Sequence, residues 1–187
     1  EQAKLILREF YFRAKGIKPA KAQPAKQDAA KPDTPSQPES TDIAAQGATS
    51  ADKIQSLKNQ AQTSAAIKQL GTLRDTLVFS TGNPDADIMF IGDAPGYHEE
   101  KQLTPFAGPA GKKLDGILTA MGISRDQVYL SYLVKFRPKL ENQTTNNRKP
   151  TAKEIDIFAP YIDQEIKTVR PKIIVTLGSV ASTNLLD

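Results

Sequence analysis

The sequence predicts an α/β domain of three layers, a parallel sheet between helices. Three observations predict it: an apolar run that ends in a glycine-rich loop, an alternation of strand and helix patterns after it, and connections long enough to be crossovers. Ile88, Met89, Phe90 and Ile91 make the first run, apolar at every position as in strands buried on both faces. Further strands are predicted at about 128–134 and 172–177. Between the first two, Leu114, Ile117, Leu118 and Met121 recur at helical spacing, and Gly122 is a natural stop. Before the third, Thr151 and Glu154 form a capping box. Ile155, Phe158, Ile162, Ile166 and Val169 then face the core, and Pro171 ends the helix. Strands joined in this way pack with right-handed crossovers.

The N-terminal part reads differently. Residues 1–17 include Leu5, Ile6, Phe10, Tyr11 and Phe12, enough for a short amphipathic segment. Residues 18–50 are rich in Pro, Ala, Lys and Gln and contain no aromatic residue, so they bury too little to offset their ordering entropy and are predicted to be a disordered linker. The folded domain is predicted over 51–187, opening with a helix at about 52–69 on the stripe Ile54, Leu57, Ala61 and Ile67.

Composition narrows the function. There is no cysteine, which excludes disulfides and thiolate-held clusters, and His98 is the one imidazole available to a metal. No metal or cofactor is expected. No apolar run reaches the length of a membrane helix and no signal-peptide core is present, so a cytoplasmic, monomeric protein is expected. The net charge of +4 is concentrated locally: Lys135, Arg137, Lys139, Arg148 and Lys149 face only Glu141 within 135–149. Two readings of that segment stand, a contact for phosphates and a solvated loop.

The chemistry is expected where the first strand ends. Gly92, Pro95 and Gly96 turn the chain sharply after Ile91, at the edge of the sheet where α/β proteins carry ligand sites, and Asp93 falls in that turn. Asp93 has a structural alternative, bonding the backbone of its own turn. Gly108 and Gly111 then permit a close approach to a ligand before the next helix, whose free N–H groups favour an anion. His98, beside the acids, reads as a loop histidine.

From Val78, the run VFSTGNPDADIMFIGDAPGYHEEKQLTPFAGPAGKKLDGIL resembles the first motif region of the uracil-DNA glycosylase superfamily, closest to family 4, whose members normally hold an iron-sulfur cluster. The likeness continues through VYLSYLVKFRP, PTAKEIDIFAPYI and RPKIIVTLGSVASTNLL, in the family's order. It implies a uracil-DNA glycosylase-like fold that flips a base from DNA and hydrolyses its bond to deoxyribose. By the resemblance, Asp93 and Glu99 take the acid positions. Phe106 is the face on which the base stacks, with Gly92, Ala94, Pro95, Gly96 and Tyr132 around it. Gly108, Gly111, Lys135, Arg137, Lys149 and Ser179 are the expected phosphate contacts. The partner is then DNA, single-stranded or mispaired by preference because flipping there costs less.

The sequence also departs from the family. Ala65, Lys68, Phe136 and Phe158 stand where the four cluster cysteines would be, so the cluster is predicted absent. Tyr132 replaces the asparagine that reads uracil, and Leu103 replaces a glycine. The chain reaches Asp187 before the family's second motif, with its His-Pro pair, and the fold is expected to be incomplete at the C-terminus. Two functions follow, a DNA glycosylase and a catalytically silent nucleic-acid-binding or interaction module on the same fold.

Overall fold

The computed structural model describes residues 43–186. The amphipathic segment 1–17 and most of the predicted linker lie outside the described residues. Helix α1 (Ser50–Thr63) begins at a capping box in which Thr49 and Asp52 exchange hydrogen bonds. Of the predicted linker only its last residues, 43–50, are described, and there Thr49 caps α1 and the Ala44 carbonyl accepts from Gln60. The single helix predicted over 52–69 is two, because Ser64 leaves helical geometry and caps α2 (Ala65–Gln69).

The main sheet has four strands in the order β2-β4-β3-β6. Strands β3 (Ile88–Gly92), β4 (Tyr129–Tyr132) and β6 (Ile173–Leu177) are parallel, as predicted, while β2 (Ser80–Gly82) adds an antiparallel edge to β4. A separate antiparallel pair joins β1 (Leu73–Leu77) to β5 (Phe136–Pro138). Sequence reading missed β1, β2 and β5. β2 and β5 have three residues each, and β1 is the polar-interrupted LRDTL, too little for a periodic signal.

Alternation along β4 separates the layers. Leu130 and Tyr132 join Phe90 in a core cluster with Leu114 and Leu118 of α4 (Pro109–Ala120). Tyr129 and Ser131 point to the other face, where both hydroxyls donate to Glu165 of α5 (Ala152–Val169). Helix α1 packs against α5. The connections around β3 thus run on opposite faces and to opposite sides, an arrangement that opens a crevice at the carboxyl ends of the strands. Two shorter helices complete that edge, α3 (Tyr97–Gln102), which sequence reading missed, and α6 (Ser179–Leu186).

Candidate active site

Register brings three strand ends level. Gly92 pairs with Tyr132 on one side and Leu177 on the other, and all three border a cavity of about 440 Å³. Asp93, Ala94 and Gly96 form its rim, Phe106 and Leu114 a wall, and Asn147 closes it from the loop after β5. The size falls within the range of roughly 300–1,000 Å³ typical of small-molecule pockets. Pro95 is buried and does not line it.

Asp93 does not bond its own turn. Its Oδ1 accepts the N–H of Ala181 at 2.9 Å, so a carboxylate from the β3 loop caps the start of α6, as a partial positive charge at a helix N-terminus favours. The Asp93 carbonyl accepts from Val134 at 3.1 Å, which fixes the backbone on the other side. Oδ2 has no hydrogen-bond partner among the described residues. Burial pushes the Asp93 carboxyl pKa up, while the Ala181 N–H and the charge of Lys149 pull it back. One oxygen is anchored and one is available at the cavity rim.

Glu99 is differently placed from the catalytic expectation. Its Oε2 accepts from Gly96 N–H at 3.0 Å and its Oε1 from Gly108 N–H at 2.8 Å, so both oxygens are committed to backbone. The side chain is buried and ties the loop after β3 to the turn before α4. This is a structural link between two walls. The N–H of Gly108, expected to meet a phosphate, is spent on it.

Phe106 stands in the left-handed region at φ +54°, a conformation costing about 1–3 kcal/mol for a residue with a side chain. Three neighbours hold it there. Its N–H donates to the Tyr132 hydroxyl at 2.9 Å, its carbonyl accepts from Arg125 Nη2 at 2.6 Å, and Arg125 is anchored on Asp115. Gly111 completes the grip, because a Cβ there would stand 1.6 Å from the Phe106 carbonyl oxygen. Gly111 therefore serves the packing of the turn, which corrects its expected role at a phosphate. The rings of Phe106 and Tyr132 stack with centroids 4.6 Å apart.

Neither reading of the basic segment holds for two of its cations. Lys135 is fully buried and pairs with Glu165, also donating to Ser131 Oγ at 2.6 Å. Arg137 is buried too. It pairs with Glu100 at 2.9 Å and donates to the carbonyls of Thr144 and Asn146. Neither reaches a phosphate, because each is consumed by an internal carboxylate. Arg137 has another effect, since its Nε donates to Asn147 Oδ1 at 2.9 Å and so turns the Asn147 amino group toward Gly96. Sequence reading missed Asn147, one polar residue among many in NQTTNNRKP, whose orientation depends on that arginine. Lys149 is exposed, and Ser179 is exposed at the start of α6, outside the cavity. His98 is an exposed residue of α3 at the cavity edge.

The comparisons with known proteins agree with this architecture. Residues 79–187 match the model of the Uracil DNA glycosylase superfamily. The chain belongs to that superfamily. It is 41% identical over 128 residues to a Type-4 uracil-DNA glycosylase of Sulfurisphaera tokodaii, covering 68% of this chain and 55% of the relative. It is 41% identical over 118 residues to the Type-4 uracil-DNA glycosylase of Saccharolobus solfataricus, covering 63% and 52%. That of Archaeoglobus fulgidus is 38% identical over 109 residues, 57% of this chain and 52% of the relative. The chain thus spans about half the length of the curated relatives it matches.

The resemblance read in the sequence assigns the four cysteines of an iron-sulfur cluster to the positions of Ala65, Lys68, Phe136 and Phe158. Ala65 and Lys68 lie exposed on α2, and Phe136 and Phe158 are buried with ring centroids 6.0 Å apart. Phe158 also packs on Tyr161 at 5.8 Å. These residues do not fit a thiolate-held cluster. Among the described residues, no group of three or more His, Asp or Glu is placed to hold a metal ion, and no helix is long and apolar enough to cross a membrane.

Proposed function

We propose that this chain carries the base pocket of a DNA glycosylase that hydrolyses the N-glycosidic bond of uracil. The observation that supports it best is Asp93, fixed through Oδ1 and open through Oδ2 at the rim of a cavity walled by Phe106. The flipped base stacks on Phe106, a contact worth roughly 1–3 kcal/mol. The Asp93 carboxylate orients the attacking water and stabilises positive charge developing on the sugar. Asn147, its amino group turned inward by Arg137, supplies a second polar group for that water. Lys149 and Ser179, exposed near the same edge, contact the DNA backbone. The domain works as a cytoplasmic monomer without a cluster, its Phe136 and Phe158 packed against each other where the resemblance would put two of the cysteines.

Single-stranded or mispaired uracil is the favoured substrate, since less pairing energy opposes flipping. The test is release of free uracil from a single-stranded oligonucleotide, followed by alkaline cleavage at the abasic site. Slow release, faster on single-stranded than on fully paired DNA, is expected. Binding with no release under any condition would favour the silent module.

A further inference from the structure

Ala65 and Lys68 lie on α2, Phe136 on β5 and Phe158 on α5, so the four positions matched to cluster cysteines fall on three separate segments. A methyl, an ammonium and two phenyl rings offer iron no thiolate. The segments are joined all the same. The Phe136 ring stands 6.0 Å from that of Phe158, and Phe158 stands 5.8 Å from Tyr161, one turn on along α5, distances at which aromatic rings interact. All three residues are buried, Phe158 at 0% exposure.

This ladder of rings leads to α2. Burial pushes the Tyr161 phenol pKa up and the Ser64 hydroxyl beside it pulls it back, and Ser64 is the cap of α2, its Oγ accepting the Ile67 N–H at 3.3 Å. Ile67 is buried at 4% exposure, while Ala65 and Lys68 stay outside. The chain leaving α2 is held as well, since the Thr72 carbonyl accepts from the Lys139 N–H at 2.8 Å and from Arg148 Nη2 at 2.9 Å. A helix of 5 residues does not persist alone, so tertiary contacts of this kind set its place.

We propose that Phe136, Phe158 and Tyr161 form a metal-free tie that holds α2 to β5 and α5, ring packing standing where four thiolates at the matched positions would coordinate iron. The tie holds whether or not the chain excises uracil. It makes the fold indifferent to chelators and to oxidants that attack iron-sulfur clusters.

Hydrogen exchange of single amides in the full chain, read by NMR, tests the tie. Leu70 and Gly71 donate to the carbonyls of Ile67 and Lys68 at the end of α2, and Ile123 and Ile173, bonded to Leu118 and Asp87, serve as references outside the three segments. In the wild type Leu70 and Gly71 should exchange at least about tenfold more slowly than in an unstructured peptide. Phe158→Leu keeps apolar bulk but removes the middle ring, and should speed Leu70 and Gly71 about tenfold more than the references. Equal speeding at all four amides would overturn the proposal, because it makes Phe158 an ordinary core residue, and so would unprotected Leu70 and Gly71 in the wild type. Should Phe158→Leu not fold, Tyr161→Phe, which removes only the hydroxyl beside Ser64, should speed Leu70 and Gly71 about threefold with the references unchanged. No difference there would overturn it. The urea midpoint of the wild type should also be the same after growth with iron and after growth in iron-depleted medium followed by EDTA. A midpoint that falls on chelation would overturn the metal-free tie.

Discussion

Arg125 Nη2 lies 2.6 Å from the carbonyl oxygen of Phe106 and holds that residue in a left-handed backbone conformation. The same guanidinium donates to the Pro105 carbonyl at 3.2 Å and is fixed by Asp115 at 2.6 Å. The cavity wall that Phe106 forms is thus set before any ligand arrives. Preorganisation of this kind spares the ordering cost at the moment of binding.

Gly111→Ala should break this arrangement. The added Cβ would fall 1.6 Å from backbone, with no flexible side-chain end to move aside. A loss of about 2–3 kcal/mol in urea unfolding is expected, with weaker binding of uracil-containing oligonucleotide. Unchanged stability would show that Phe106 is free to leave its left-handed conformation.

Acid should unfold the domain partly through Glu154. Burial pushes this carboxyl up, and the bonds from Arg148 and the Thr151 N–H outweigh it, holding the group at about 2 against an ordinary 4.5. Because the folded value lies below the unfolded one, the stabilisation is complete above about pH 4.5 and is lost as pH falls toward 2. It amounts to on the order of 2–3 kcal/mol. Urea midpoints measured from pH 6 to pH 2.5 should fall less steeply in Arg148→Ala than in the wild type; parallel profiles would contradict the pairing.

These pairs also mark what the sequence shows and what it conceals. The parallel strands, the capped helix α5 and the loop holding Asp93 were legible, because apolar runs, capping pairs and glycine turns are local signals. The partners of Lys135 and Arg137 were not. Glu165 lies 30 residues from Lys135 and Glu100 lies 37 from Arg137, so a run of cations reads as surface charge until tertiary packing supplies the acids. The backbone partners of Glu99 were hidden for the same reason. Its acid position is local, but the Gly108 N–H that occupies it comes from the next turn. Asn147 was hidden because Arg137, not its own neighbours, turns it inward.

Lys149 and Lys135 should separate in DNA binding. Lys149→Ala removes an exposed cation and should lower the salt dependence of affinity by a slope of about 0.7–0.9, whereas Lys135→Met should leave the slope unchanged. Lys149 also draws the Asp93 carboxyl pKa down, against the larger upward push of burial. The acid limb of the excision rate should therefore lie above that of a solvent-exposed aspartate and move to higher pH in Lys149→Ala. A downward shift, or equal slopes for the two variants, would return Lys149 to a solvated role.

The catalytic claim rests on Asp93, and one comparison tests it most directly: single-turnover release of uracil from a single-stranded oligonucleotide by the wild type and by Asp93→Asn. The variant keeps an oxygen to accept the Ala181 N–H, so fold and affinity for a non-hydrolysable uracil probe should persist. Loss of the carboxylate charge should cut the rate by about a hundredfold or more. Release by Asp93→Asn at the wild-type rate would contradict the account.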